Sequence, residues 1–154
     1  MNYRECVGIV LMKHGLIFAG QRIDYKSDAW QMPQGGIELR ETPRNAALRE
    51  LKEETGISMQ HIEILCETES WVKYDLPKDL VPKLWGGKFV GQKQKWFAMN
   101  FFGLDEDINI NTDAPEFCSW QWMKKDVILK KIVPFKREVY QHVFDEFSRK
   151  LCFD

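Results

Sequence analysis

Residues 35–57 constrain this chain more than any other stretch, because they prescribe a loop, a helix and a second loop in that order. Thr42 carries a side-chain oxygen suited to capping a helix, Pro43 suits the first helical position and Gly56 suits a left-handed stop. The sequence therefore predicts a helix over 42–55. At about 100° per residue, Glu50, Glu53 and Glu54 fall within an arc of roughly 100° on that helix. Ala47, Leu48 and Leu51 occupy the neighbouring arc and suit burial against a sheet. Carboxylates spaced three and four apart destabilise a helix by roughly 0.2–0.5 kcal/mol per pair, and the C-terminal half of a helix disfavours anions further. Two readings are open. The ridge is a solvated acidic face partly offset by Arg49 and Lys52, or it gathers a hard divalent cation such as Mg²⁺, which takes oxygen ligands and shares its shell with phosphates.

Around this segment the pattern is mostly strand. Residues 6–12 form an apolar run with β-branched Val7, Ile9 and Val10, and residues 16–20 follow a Lys13-His14-Gly15 turn as a hairpin partner. Residues 24–28 read as a polar loop, Trp30 to Pro33 as a short extended piece, and Gly35-Gly36 as the opening of a tight loop. Strands are expected at 62–68, from Trp71 onward, at 94–104 and at 117–123, with a turn at Trp85-Gly86-Gly87. A short helix is expected at 127–132 and a longer one at 134–151, where Val139, Tyr140, Val143, Phe144, Phe147 and Leu151 recur at helical spacing. Strands outnumber helices, so the fold class is α+β or α/β, with helices flanking a mixed sheet.

At 154 residues the chain has the length of one domain, 1–154, with no repeat or linker. Its net charge of −1 gives no global basic field, so DNA is not an expected partner and an anionic substrate must be held locally. Arg4, Arg22, Lys93, Lys95 and Lys136 are candidate cations for a polyphosphate. Phe135 with Val133 either stacks a base or anchors the last helix, and Tyr74 either meets a phosphate or base or packs beside Trp71. Cys6, Cys66, Cys118 and Cys152 form no C-x-x-C pair, and buried free thiols in a reducing compartment are expected. With no apolar stretch of about 18 residues and no apolar signal core after Met1, a cytoplasmic protein without membrane attachment is expected. Nothing fixes the oligomeric state, and a monomer is the working expectation.

Gly35, Glu41, Arg49, Glu50, Leu51, Glu53, Glu54, Gly56 and Ile57 match G-x5-E-x7-R-E-U-x-E-E-x-G-U, with U an aliphatic residue, at every position. That run resembles the signature of the Nudix hydrolases, whose fold is an α/β/α sandwich around a mixed β-sheet. The resemblance implies that Glu50, Glu53 and Glu54 bind a divalent cation, Mg²⁺ with Mn²⁺ or another divalent ion as a substitute. It implies that Glu41 and Arg49 brace the loop, and that Glu116 is a further ligand from outside the signature. Either Glu53 or Glu116 is then the base that takes a proton from water.

Similarity to one branch of the family extends along the chain. Trp30-Gln31-Met32-Pro33-Gln34-Gly35-Gly36, Tyr74, the run at 91–97, Pro115-Glu116-Phe117 and the run at 133–137 resemble enzymes acting on triphosphorylated RNA ends and on dinucleoside polyphosphates. Met32 stands where that branch has Phe, and Pro134 where a small polar residue is common. The resemblance implies removal of pyrophosphate from the RNA 5′ end, with dinucleoside polyphosphates as related substrates. It raises Arg22, Lys95 and Lys136 among the cations. A dedicated dinucleoside tetra- or pentaphosphate hydrolase is the alternative, and a catalytically dead nucleotide sensor is disfavoured because every signature acid is present.

Overall fold

Strand β1 (Tyr3–Lys13) and strand β7 (Gly91–Phe101) form the spine of the fold, paired in parallel from Tyr3↔Gly91 to Met12↔Asn100. The computed structural model describes residues 2–24 and 29–151. Around the spine lie β2 (Leu16–Arg22), β3 (Trp30–Gln31), β4 (Gln34–Gly36), β5 (Ile62–Glu67), β6 (Val72–Asp75) and β8 (Phe117–Met123). The sheet order is β3-β2-β1-β7-β5, with β4 on β1, β6 on β7 and β8 on β2, and every pairing other than β1–β7 is antiparallel. β5 and β6 occupy successive stretches of one β7 edge, which leaves β6 beside the N-terminal halves of β7 and β1.

Side chains alternate between faces along a strand, and both faces of the sheet are covered. Val7, Ile9, Leu11, Phe97 and Met99 pack against Ala46, Ala47 and Leu51 of α1 (Pro43–Thr55). Val10, Trp96 and Ala98 pack against α2 (Lys125–Lys131) and α3 (Arg137–Leu151) through Ile128, Val139, Tyr140, Val143 and Phe147. The result is the α/β/α sandwich that the sequence implied. Each large apolar side chain buried in it contributes roughly 1.5–3 kcal/mol. Among the described residues no helix is long and apolar enough to cross a membrane.

Helix α1 is bounded as its sequence dictates. The Thr42 hydroxyl oxygen accepts from the Asn45 N–H at 3.1 Å, and Gly56 closes the helix at φ 72°, donating to Lys52 O at 2.8 Å. Several expectations are adjusted, and one lies mostly outside the described residues. Gln34–Gly36 is a strand rather than a tight loop, because it pairs with Cys6 to Gly8 of β1. The last helix begins at Arg137, after a 3₁₀ turn over Pro134–Lys136. Cys6 is buried, but Cys66 is half-buried and Cys118 exposed, since β8 turns Cys118 outward; Cys152 lies outside the described residues. Of the polar loop at 24–28, Asp24 is a turn and the remainder lies outside the described residues.

Candidate active site

Where α1 passes β4, a cavity of ≈ 490 Å³ opens between the sheet and the 3₁₀ turn at Pro134–Lys136. Its lining includes Glu50 and Glu54 of α1, Gln31, Gln34 and Gly35 of the preceding extended segment, and Glu116. Arg4, Arg22, Tyr74, Phe135 and Lys136 line it from the other sides. Sequence-distant candidates thus meet in one place. Two larger and more open grooves beside it do not contain the signature acids.

The three helix acids are not equivalent. Glu54 is 2% exposed, and its Oε2 has no hydrogen-bond partner. Burial, and then repulsion from Glu50 and Glu116, push its carboxyl well above the usual range, offset in part by the Gln34 backbone N–H. Glu50 is largely buried and is also raised by burial, against the stabilising Arg49 guanidinium. Glu53 points to solvent and bonds Arg49 at 3.2 Å. Gly35 allows the close approach: a Cβ there would overlap the Glu50 carboxyl group.

Arg49 is the keystone of the loop. It grips Glu41 through two bonds of 2.8 and 2.9 Å, donates to Gly36 O at 2.8 Å, and reaches Glu50 at 2.7 Å. That grip holds the Glu41 carboxyl down at about 2. Glu41 in turn accepts from the Glu38 N–H at 3.0 Å, so the loop between β4 and α1 is tied to the acids it serves.

The cavity is cationic on the far side. Lys136 is buried, and desolvation together with nearby Arg22 lowers its ammonium to about 8. Its Nζ lies 5.9 Å from the centre of the Tyr74 ring, which in turn meets Phe135 at 5.8 Å. Arg22 bonds Asp24 at 3.0 and 2.7 Å. The Arg4 guanidinium sits 5.1 Å over the Trp85 ring. Lys95 is not brought into the cavity: its Nζ donates to Thr68 O and Glu69 O at 3.2 and 3.1 Å. Val133 is buried in the core beneath the 3₁₀ turn and does not line the cavity.

Sequence reasoning singled out Gln31 and Gln92 only within longer runs and missed Leu76, Leu80, Leu84 and Trp85, and all six line the cavity. Gln31 Oε1 is buried without a partner, a second unsatisfied acceptor beside Glu54. Trp85 adopts φ 49°, unusual for a bulky residue, and is followed by Gly86 and Gly87, also at positive φ. The Trp-Gly-Gly run was the available signal for a strained wall at this edge.

These acids fit a divalent cation by their chemistry. A buried carboxylate beside two others, with an orphaned oxygen, carries a burial and repulsion cost that a hard cation removes. Among the described residues no three His, Cys, Asp or Glu side chains already converge as a metal-binding cluster.

A family model described as NUDIX domain matches residues 2–143. The chain is 55% identical to a protein of Dinoroseobacter shibae named RNA pyrophosphohydrolase, covering 96% of this chain and 93% of that one. It is 56% identical to a protein of the same name from Roseobacter denitrificans, covering 98% and 95%. Among solved structures it resembles a C. elegans Ap4A hydrolase binary complex, with TM-score 0.68, 19% identity and coverage of 96% and 99%. It also resembles the E. coli dihydroneopterin triphosphate pyrophosphohydrolase, with TM-score 0.73, 19% identity and coverage of 92% and 97%. At those identities the structural likeness speaks for the fold alone.

Proposed function

The chain belongs to the Nudix hydrolase family, and from that premise we propose that it converts 5′-triphosphorylated RNA to 5′-monophosphorylated RNA and pyrophosphate, and also cleaves dinucleoside polyphosphates. Hydrolases of this family need a divalent metal ion, here Mg²⁺ or Mn²⁺. We further propose that residues 1–154 act as one domain, as a monomer, in the cytoplasm where nascent RNA ends arise. The observation that carries the reading is the partnerless, buried Glu54 oxygen beside Glu50, facing Arg4 and Lys136 across one cavity. The names of the near relatives support the choice of RNA.

Glu50, Glu54 and Glu116 would hold the cation from the cavity wall, with Glu53 joining from the solvent side. When bound, the cation neutralises charge on the phosphate oxygens and acidifies water. Arg49 keeps Glu50 aimed into the cavity and holds the β4–α1 loop in place through Glu41 and Gly36 O. Water adds to phosphorus, a carboxylate accepts its proton, and the anhydride P–O bond breaks toward the leaving phosphate. Glu116 is better placed for that proton than Glu53, since it lines the cavity whereas Glu53 is tied to Arg49 at its exposed edge. Arg4, Arg22 and Lys136 would take the non-reacting phosphates. Lys95 and Val133 would act from outside the cavity, Val133 by seating Phe135.

Phe135 and Tyr74 form a tilted ring pair at the cavity wall, suited to stacking a nucleobase. Phe135→Ala is expected to raise KM about 5- to 20-fold and to change kcat less, as loss of one base stack implies. A variant that mainly unfolds, seen as a large fall in Tm, would make Phe135 an anchor instead.

Lys136 gives a pH dependence. With its ammonium lowered to about 8, the cation is present below that pH and lost as pH rises through it, so KM for polyphosphate should climb on the alkaline side. Arg22, Asp24, Cys6 and Glu54 are the groups whose charges bear on it. Lys136→Arg is expected to flatten this limb, because guanidinium stays charged; an unchanged limb would assign it to another group.

The deciding experiment for the substrate compares kcat/KM for triphosphorylated RNA with that for diadenosine tetra- and pentaphosphate on one preparation. The reading expects turnover of RNA with release of pyrophosphate. Turnover of the dinucleotides alone would leave the dedicated hydrolase.

A further inference from the structure

Beside the cavity, cations and rings interleave on the other face of the same strands. β6 pairs antiparallel with β7 so that Lys73 lies directly opposite Lys93, and Lys93 lies next to Glu5 of β1. Lys73, Lys93 and Lys95 alternate with Tyr74, Gln92 and Gln94, so the lysines project from the face that the glutamines do not use. Lys93 has Glu5 at 3.2 Å, but Lys73 is exposed and makes no ion pair among the described residues. Like charges directly opposed across two strands are destabilising, so strand pairing does not account for them.

Each lysine sits over a ring. Lys73 Nζ is 5.3 Å from the Tyr3 ring, and Lys93 and Lys95 are 5.1 and 5.9 Å from Trp71. Two open grooves, of ≈ 690 and ≈ 670 Å³, meet along Tyr3 and Lys73. The first shares Arg4 with the active-site cavity, and the second shares Tyr74 and Phe135. Arg4, Tyr74 and Phe135 thus stand as shared walls between these grooves and the proposed reaction centre.

We propose that the Tyr3, Trp71, Lys73 and Lys93 surface is a track for the single-stranded RNA just 3′ of the hydrolysed end. Single strands are held by aromatic platforms for the bases and by cations for the phosphates, and this surface supplies both within a few residues. A chain of net charge −1 has no global field to do so, so the local cluster extends recognition beyond the end and a base or two that the overall charge suggests. The inference rests on the RNA reading above. A dinucleoside polyphosphate ends within the cavity and does not need the track.

The test uses Lys73→Glu and Trp71→Ala in the full chain. Each is expected to lower kcat/KM for a triphosphorylated RNA of about ten nucleotides by about 5- to 20-fold. Turnover of a triphosphorylated dinucleotide and of diadenosine tetraphosphate should stay within about twofold, since neither reaches the track. Between ~50 and ~200 mM salt, Lys73→Glu should also flatten the fall in long-RNA affinity. Equal losses on all substrates, or none on the long RNA, overturn the track. Binding of a labelled 5′-hydroxyl RNA of the same length separates the two ideas, because it needs no hydrolysis. If triphosphorylated RNA is not turned over, the reaction assignment fails; if the variants bind the labelled RNA as the wild type does, the track fails.

Discussion

Glu54→Gln is expected to lower kcat by about 10²- to 10⁴-fold while the protein stays folded. Glutamine has the same shape, so the packing against β4 survives, yet it supplies no negative charge to a cation. The wild-type side chain is 2% exposed with one oxygen unpartnered, flanked by Glu50 and Glu116. Replacing a buried, self-repelling carboxylate with a neutral amide removes a cost of folding, so Tm without added metal should be unchanged or higher. The complementary readout is linkage: a ligand that binds only the folded state raises Tm, so Mn²⁺ should stabilise the wild type and stabilise the variant much less. A variant with near wild-type turnover would remove Glu54 from the chemistry.

The second large effect is expected at Arg49. Truncation to Ala deletes the two bonds to Glu41 and those to Gly36 O, Glu50 and Glu53. The side chain is 23% exposed, so its bonds are only partly screened. The stability loss should be about 2 kcal/mol, read as a lower denaturant midpoint at unchanged slope. Activity should fall by about 10²-fold, since positioning of ligands by outer groups has that scale. Arg49→Lys should recover little, because an ammonium cannot grip Glu41 in two parallel bonds while reaching Gly36 O. Full activity in either variant would reduce Arg49 to a surface charge.

Much of this was legible in the sequence because local chemistry dictated it. Thr42, Pro43 and Gly56 bound α1 without help from the rest of the chain, apolar runs marked β1 and β7, and helical apolar spacing marked α3. What helical spacing could not reveal was that one arc of acids divides three ways. Glu54 is buried in the cavity wall, Glu50 lines the same cavity less deeply and Glu53 stays in water. That division depends on where β4 lies, and β4 was hidden because two glycines carry no β signal; only pairing with β1 makes them a strand. Lys95 illustrates the opposite case. Residues 92–95 alternate Gln and Lys, so a strand there had to send the glutamines and lysines to opposite faces, and Gln92 took the cavity. The wall at Leu80, Leu84 and Trp85 comes from irregular backbone and tertiary packing, which no periodicity announces.

Metal capture by Glu50 and Glu54, with Glu116, is decided by diffraction from manganese-soaked crystals at the manganese absorption edge. Anomalous density is expected in the cavity against the Glu50 and Glu54 carboxylates, and is expected to be lost in Glu54→Gln. Manganese found only at exposed surface acids, with Glu54 still unliganded, would contradict it.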